Sequence, residues 1–554
     1  MTATGTDTGT RPVRPIAALI VLSLGLFMTL LDLTIVNVAI PRISDGLGAG
    51  LDEILWVLNA YSLVYAVLLI TSGRLGDIVG PRRLFVIGTG IFTIASLISA
   101  LAASPVQLIF SRALQGFGAA ILAPQGLPIL LTVFPRERRA AVFAIFGVLA
   151  GLAVLAGPTL GGFLVTHFGW PSIFYVNLPV GVITILAALA FVPDIRPGKR
   201  HRLDFVGVGL ATAGLLGVVY GLIEGQRYQW GTITGFISIP LVIAAGAAVL
   251  VVFFVHQARR QDREPLLPFA VFHDRNFAVM TLVLCAMGFS ILSFYLPLTI
   301  YLQSVLGLSA VDAGLTIAAQ PLTMIVLSGV SNGLMAKVSA KYLLIPGLVT
   351  LGAGTGFIAF AVHANSGRWS FLPGLILAGA GMAFIWGPVY ALATRDLRPE
   401  HGGVASGVLN TIQEFGAVTA GAVVGAVLQT QLASNVRSQA VTQPVALPEQ
   451  ARAPFVDGFS HAASSGLAVG SAQSSVPPSA LAHVPATVAA QIQQVGHDVF
   501  ASAFVDAMRP TLFIGMAVVL TAAAATLFSR ARSDTDATGV AAYPAAPERQ
   551  AAAV

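Results

Sequence analysis

Residues 16–38 read IAALIVLSLGLFMTLLDLTIVNV, an apolar run whose single charge is Asp32. About 20 apolar residues in a helix are enough to cross the ~30 Å hydrocarbon core of a bilayer. Similar runs recur along the 554-residue chain, which is 56% hydrophobic and only 10% charged. The short alternating segments typical of a membrane barrel do not appear. The sequence therefore predicts an all-α polytopic membrane protein in contact with a lipid bilayer.

About fourteen transmembrane spans can be assigned from these runs. They are predicted at 16–38, 54–72, 84–103, 106–133, 140–165, 171–192, 204–224, 232–255, 276–302, 312–335, 343–363, 370–394, 403–429 and 510–529. Residues 256–275 are predicted to form a connector in which 265–272 lies along the membrane interface. Residues 431–508 are predicted to form a long outer loop containing an amphipathic helix, and 530–554 a disordered tail.

The distribution of basic residues predicts the orientation of the chain. Most of the 30 Lys and Arg residues lie in the termini and in the loops that follow even-numbered spans. The exceptions are Arg42, Arg227, Arg368, Arg437, Arg452 and Arg509 on the other side, and Arg112 inside a span. Cytoplasmic loops carry the excess of Lys and Arg, so both termini, including the 1–15 tail, are predicted to be cytoplasmic in a bacterial plasma membrane. The basic residues of the cytoplasmic loops account for the net charge of +6, so no nucleic-acid partner is expected.

Asp32 and Arg112 are the charges placed well inside predicted spans. Such residues are costly in hydrocarbon and usually face a cavity or a partner. Asp32 is a candidate proton or cation site, and Arg112 is its natural partner because a nearby cation favours the ionised carboxylate. The alternatives are that Asp32 lies at a wetted outer mouth and that Arg112 snorkels towards the membrane surface.

Glu414, in the thirteenth span, is a second candidate carboxylate for proton coupling. Its alternative is a wetted position near the cytoplasmic end of the span. Polar and aromatic side chains of other spans are candidates for lining a substrate cavity, although contact with lipid or another helix is the alternative for each aromatic residue. These candidates are Asn37, Gln115, Phe289, Phe294, Tyr295, Trp386 and Tyr390.

Two glycine-containing stretches complete the set of candidate sites. Residues 73–83, GRLGDIVGPRR, join spans two and three, and we call them the gate loop. Its candidate functional residues are Gly73, Asp77, Gly80, Arg82 and Arg83. The fifth span carries GPTLGG, with Gly157, Pro158, Gly161 and Gly162. Glycine and proline bend a helix and let another approach closely, which alone is ordinary membrane packing.

Taken together, these stretches resemble the major facilitator superfamily, in particular its fourteen-span drug:proton antiporters of the EmrB/QacA type. The gate loop is similar to the superfamily's loop motif, RALQGFGAA at 112–120 to its fourth-span motif, and GPTLGG at 157–162 to its antiporter motif. The surroundings of Asp32 and the stretches 379–388 and 402–411 also look like this group. The resemblance implies two six-helix bundles, 16–192 and 276–529, with two helices inserted at 204–255.

The resemblance also implies roles for the marked residues. Asp77 would gate the cytoplasmic side, Arg112 would respond to proton transfer, and Gly157 and Pro158 would favour exchange over symport. The sequence departs from the pattern at Gln413-Glu414, where an Arg-Gln pair is common, so a carboxylate has been gained.

The predicted function is proton-coupled efflux of multiple drugs or antibiotics by alternating access. The substrate would be an amphipathic or cationic small molecule, and the proton motive force would replace any cofactor. The alternative is a dedicated exporter of one endogenous metabolite, lipid or siderophore. Neither a metal-binding pattern nor a nucleophile motif is present in the sequence, so enzymatic activity is not expected.

Overall fold

A computed structural model describes residues 14–49, 51–194, 204–225, 227–262, 265–364, 366–397, 402–442 and 486–530. Within these residues, thirteen helices are long and apolar enough to cross a membrane. A further 33-residue helix, Arg136–Phe168, occupies the position of the predicted fifth span. The predicted all-α architecture of two six-helix bundles with two inserted helices is confirmed.

The helices of the two bundles are separated in the chain by the inserted segment. The first bundle contains α1 (Pro15–Leu47), α2 (Leu51–Val79), α3 (Pro81–Ala100), α4 (Pro105–Leu122), a 3₁₀ turn (Ala123–Gln125), α5 (Gly126–Val133), α6 (Arg136–Phe168), α7 (Ser172–Tyr175) and α8 (Asn177–Phe191). The inserted segment contains α9 (Phe205–Glu224), β1 (Thr232–Thr234), β2 (Ile237–Ser238) and α10 (Ile239–Ala258). After α11 (Ala270–His273), the second bundle contains α12 (Arg275–Ile300), a π-helical turn (Tyr301–Val305), α13 (Ala310–Ile317), α14 (Ala319–Met335), α15 (Ala340–Ala361), α16 (Leu372–Ala383), α17 (Trp386–Ala393), α18 (Gly402–Thr442) and α19 (Ala486–Thr526).

Proline and short polar side chains set several helix starts. Proline occupies the first turn of α1, α3 and α4, where its missing N–H removes no helical hydrogen bond. Ser104 caps α4 by accepting a hydrogen bond from the amide of Gln107, and Ser238 caps α10 by accepting from that of Leu241. We call the end of the protein where α2 meets α3 the basic face, because Arg82 and Arg83 lie there.

The inserted helices pack against both bundles. Gly246 of α10 approaches the backbone of α9 so closely that an added Cβ atom would lie 2.7 Å from the amide nitrogen of Val218. On its other side, α9 contacts α2, where the rings of Trp56 and Tyr220 lie 6.0 Å apart, and α18, through Val418. Helix α9 therefore bridges the two bundles along the α2–α18 side.

Asp204 fixes the inserted pair at the basic face. Its carboxylate is buried and accepts hydrogen bonds from the Gly207 amide at 3.0 Å and the Gln257 side chain at 2.9 Å. His256 Nε2 lies 3.1 Å from the same carboxylate, and Arg260 is near it. Burial alone would raise the pKa of Asp204, but the hydrogen bonds and Arg260 outweigh it and hold the pKa below its usual value. Asp204 is therefore a structural carboxylate.

Two predicted segments have the wrong bounds. The eighth span does not begin at 232, because Thr232–Ser238 forms an antiparallel hairpin with a turn at Gly235, whose φ is +53°. The predicted outer loop 431–508 is too long, because α18 continues to Thr442 and α19 begins at Ala486; residues 443–485 lie outside the described part of the chain. The amphipathic helix that was predicted to lead into the last span is confirmed as the first part of α19. Within the connector, Pro265, Leu266 and Leu267 are buried against the protein, whereas Ala270 and Phe272 are exposed, and the interfacial position of 265–272 stays a prediction.

Candidate functional site

Asp32 lies in the middle of α1 and is fully buried inside the first bundle. Its Oδ2 atom pairs with the Arg112 guanidinium of α4. Its Oδ1 atom accepts hydrogen bonds from Gln115 Nε2 and Asn177 Nδ2, each at 3.2 Å. Two helices, α4 and α8, therefore bring donors to one carboxylate on α1. The alternative of a wetted Asp32 at the outer mouth is wrong for this structure.

Arg112 is held from several directions. Its Nε atom donates to the carbonyl oxygen of Val57 at 3.2 Å, and Nη1 donates to Gln115 Oε1 at 2.8 Å. Its guanidinium carbon also lies 4.5 Å from the centroid of the Tyr61 ring, within the range of a cation–π contact. The side chain is 1% exposed, so the alternative that Arg112 snorkels to the surface is wrong.

A belt of small polar side chains supports this ion pair. Gln115 Nε2 donates to Ser96 Oγ at 2.7 Å, and the Asn177 amide lies 3.4 Å from the same oxygen. Ser99 donates to Ser111 Oγ at 2.8 Å. Gln115, predicted to line a substrate cavity, thus belongs to the Asp32 network. Asn177 was not predicted; the available signal was an amide just before Pro179 at the start of an apolar run.

The glycines of the fifth-span motif place α6 against the part of α1 that follows Asp32. A Cβ atom added to Gly157 would lie 2.2 Å from Thr34 Oγ1, and one added to Gly161 would lie 2.7 Å from Ile35 Cγ1. Gly162 faces Val311 of α13 instead, and so meets the second bundle. Glycine is required at 157 and 161 because any side chain would push α6 away from α1.

The gate loop is helical almost throughout, contrary to the prediction of a loop, because residues 73–79 end α2 and Pro81 begins α3. It meets the start of α18 at the basic face. Asp77 Oδ1 accepts a hydrogen bond from the Gly403 amide at 3.2 Å. A Cβ atom added to Gly73 would lie 2.4 Å from the Gly403 carbonyl oxygen, so the two helices touch through backbone. Gly80 has φ +104°, a conformation that favours glycine, and turns the chain into α3. Arg82 donates to the Leu189 carbonyl oxygen, whereas Arg83 is exposed.

Glu414 lies on α18, away from the Asp32 network. It is half-buried, and it forms neither a hydrogen bond nor an ion pair with the residues that the structure describes. The rings of Trp386 and Tyr390 are parallel to within 9°, with centroids 6.2 Å apart.

The other predicted cavity residues lie in different environments. Phe294 belongs to the hydrophobic core, with the Tyr295 ring 5.3 Å away at 85°, and Phe289 is buried as well. The side chains of Asn37 and Pro158 lie outside the described part of the chain. Of the predicted set, Trp386 and Tyr390 are thus the two aromatic residues whose rings stack on each other.

The structure contains two six-helix bundles. One of them holds a buried ion pair, and the two are in contact at the basic face. These features are those of a membrane transporter. The sequence matches the model of the Major Facilitator Superfamily over residues 22–421, and the chain belongs to that family of transporters.

The chain is similar to two relatives in sequence and to one solved structure in fold. It is 34% identical to a probable actinorhodin transporter of Streptomyces coelicolor, covering 76% of this chain and 74% of the relative. It is 32% identical to the multidrug resistance protein Stp of Mycobacterium tuberculosis, covering 77% and 79%. The structure of the human organic anion transporter MFSD10 (TETRAN) aligns with a TM-score of 0.54 at 16% identity, covering 76% and 94%, which shows the shared fold.

Proposed function

We propose that this chain is a proton-coupled efflux transporter that exports drugs or antibiotics in exchange for protons. The observation that carries the proposal is the fully buried pair of Asp32 and Arg112. An exchanger needs a group that takes up a proton on one side and releases it on the other. A buried carboxylate has this property when a cation beside it can change position, because burial favours its neutral form and the cation favours its charged form.

The proposed cycle uses the contacts around Asp32. In the conformation that the structure shows, hydrogen bonds from Arg112, Gln115 and Asn177 stabilise the Asp32 carboxylate. A proton that reaches Asp32 neutralises it and leaves Arg112 held by Val57, Gln115 and the Tyr61 ring. Rearrangement of α1 against α4 then biases the two bundles towards the other access state. Coupling requires no cofactor, because the proton gradient drives the exchange.

We assign the basic face to the cytoplasm, with both termini on that side of a bacterial plasma membrane. The positive-inside rule supports this assignment. Cysteines placed at Ser465 and Ser533 in a Cys285→Ser background test it with a membrane-impermeant thiol reagent applied to intact cells. We expect labelling at position 465 alone, and labelling at 533 in sealed cells contradicts the assignment.

Drug export is tested by susceptibility and flux. Cells that express the protein should tolerate several structurally unrelated antibiotics, and a protonophore should abolish this tolerance. The actinorhodin relative supports a second candidate, a dedicated exporter of one metabolite, for which tolerance to a single compound is expected. Proteoliposomes that show no substrate-induced proton movement for any member of the panel would refute the proposal.

A further inference from the structure

In the described part of the chain, the groups that hydrogen-bond the Asp32 carboxylate are all nitrogen donors. Arg112 contacts Oδ2, and the amides of Gln115 and Asn177 donate to Oδ1 at 3.2 Å each. Guanidinium and carboxamide N–H groups donate hydrogen bonds but do not release their protons. Asp32 is fully buried, so a proton must arrive with a water molecule. One of the three donors therefore has to make room for that water.

Arg112 and Gln115 are each held by several groups besides Asp32. Arg112 donates to Gln115 Oε1 at 2.8 Å and to a backbone carbonyl oxygen of α2 at 3.2 Å. Gln115 Oε1 also accepts a hydrogen bond from Ser99 at 3.3 Å, and its Nε2 atom donates to Ser96 at 2.7 Å. Both side chains belong to α4 and bond each other, so neither can withdraw from Asp32 without disturbing the other.

Asn177 is held less tightly than the two donors of α4. Its Nδ2 atom donates to Asp32 at 3.2 Å and to Ser96 at 3.4 Å, whereas Gln115 bonds the same serine at 2.7 Å. An N–H···O hydrogen bond weakens as its length exceeds about 3 Å. Asn177 is also the first residue of α8 and directly follows the four-residue helix α7. A small displacement of this helix end withdraws the amide and leaves α4 in place.

A groove at the face opposite the basic face leads to this end of α8. Its volume is about 460 Å³. Phe168 and Tyr175 line it and are 68% and 41% exposed. Val176, which also lines it, directly precedes Asn177. Because residues 169–171 connect two membrane-spanning helices, the groove lies at the membrane surface, where water is present. The other lining residues are Leu164, Pro171 and Ser172.

We propose that Asn177 controls the access of protons from this groove to Asp32. This inference rests on the proposed function and names a positioning residue for its proton-transfer step. When the Asn177 amide withdraws, a hydronium ion from the groove takes its place at Oδ1. The proton forms an O–H bond with Oδ1, which neutralises Asp32, and a water molecule is left behind. Arg112 stays beside Oδ2 during this step. In the conformation that the structure shows, Asn177 keeps water away from Oδ1.

Thiol accessibility in the purified full-length protein tests this route in the absence of substrate. Asn177→Cys, Ser99→Cys and Tyr175→Cys are each made in a Cys285→Ser background and treated with a small charged methanethiosulfonate. Tyr175→Cys gives the rate of an exposed position. Ser99→Cys is the matched control, because Ser99 is as buried as Asn177 but contacts Gln115 from α3. We expect Asn177→Cys to react about tenfold or more faster than Ser99→Cys. A reaction of Asn177→Cys that is no faster than that of Ser99→Cys would overturn the inference.

Substrate-induced proton release from proteoliposomes separates control of access from a structural role. Asn177→Ala leaves space for a water molecule that can bond Oδ1, so proton release should fall only about threefold. Asn177→Leu fills that space with an apolar side chain and excludes water, so release should fall about 30-fold. A structural role predicts a loss in Asn177→Ala at least as large as in Asn177→Leu, because alanine leaves a cavity. That outcome, in variants shown to be folded by gel filtration and thermal melting, would contradict the inference.

The two experiments also keep this inference distinguishable from the proposed function. Absence of substrate-induced proton release by the wild type would refute proton-coupled efflux. The thiol reaction rates need neither substrate nor a proton gradient, so they decide the access route to Asp32 by themselves.

Discussion

Asp32 and Glu414 are both carboxylates on membrane-spanning helices, yet their surroundings differ in almost every respect. Asp32 is fully buried within one bundle and accepts hydrogen bonds from Arg112, Gln115 and Asn177. Glu414 is half-buried on α18, a helix that contacts both bundles, and it has no hydrogen-bond donor among the described residues. A carboxylate whose partners are all supplied by the protein suits a small exchangeable ion such as a proton. A carboxylate without a partner suits a ligand that brings its own charge.

The helices that carry the two carboxylates are held in similar ways. Gly157 of α6 lets Thr34 of α1 approach, close to Asp32. On α18, Gly416 lies against the Cys285 backbone of α12, and an added Cβ atom would be 2.0 Å from the Cys285 carbonyl oxygen. Both carboxylates therefore sit on helices packed through backbone contacts, and the difference between them lies in their side-chain partners. This difference predicts separable effects on protons and on substrate.

The largest effect is expected for Asp32→Asn. Asparagine keeps the size of the side chain but cannot bind and release a proton, so substrate-induced proton release from proteoliposomes under an imposed pH gradient should fall about 100-fold or more. Asp312→Asn, at the opposite face, is the control because Asp312 is exposed and outside the network. Proton release at the wild-type level in Asp32→Asn contradicts the assignment of Asp32 and moves the coupling role to Glu414.

Arg112→Lys is expected to have the next largest effect. Lysine keeps the positive charge, but its single ammonium group cannot reproduce the planar guanidinium that bonds Val57, Gln115 and Asp32 and lies against the Tyr61 ring. We expect proton-coupled efflux to fall about 30-fold, equivalent to ~2 kcal/mol, with membrane insertion retained. A lysine variant with normal efflux would show that charge alone is sufficient at this position.

The sequence predicted most of the fold but only part of the site. Apolar runs of membrane length reveal the spans, and Asp32 and Arg112 stand out as charges within them. Their contact with Asn177 was not predictable, because a single amide beside a proline carries no periodic signal. The hairpin at 232–238 was missed because Ile233, Phe236 and Ile237 made it look like the start of a span. Glu414 has no hydrogen-bond donor because of the way in which distant helices pack. Such contacts between helices cannot be read from a single sequence.

Glu414→Gln should show whether Glu414 affects the efflux of substrate or the release of protons. Removing the charge should lower the efflux of an aromatic cation about tenfold, because the ligand loses its counter-ion. Efflux of an uncharged substrate, and the proton release that accompanies it, should change by less than about twofold. The comparison is made in the same proteoliposomes with matched amounts of protein. Equal losses for charged and uncharged substrates would mean that Glu414 acts in coupling, as Asp32 is proposed to do.

The smallest effect is expected for Asp77→Asn, which acts on the helix that carries Glu414. Asp77 Oδ1 accepts a hydrogen bond from the Gly403 amide at the start of α18, where the positive end of the helix dipole favours a negative charge. Asparagine keeps an acceptor oxygen but loses that charge, an interaction worth about 0.3–1 kcal/mol. The conformation in which α2 contacts α18 at the basic face should therefore become about two- to fivefold less favoured than the one in which they are apart.

Efflux should fall by a similar factor in Asp77→Asn, while the protein still inserts into the membrane. Gly403→Ala supplies a stronger disruption of the same contact, because its methyl group would lie 2.2 Å from Asp77 Oδ1. Its efflux should be lower than that of Asp77→Asn, since a steric clash separates the helices whereas loss of a charge only weakens their attraction. Normal efflux in Asp77→Asn together with impaired efflux in Gly403→Ala would mean that close backbone packing, and not the Asp77 charge, holds α2 against α18.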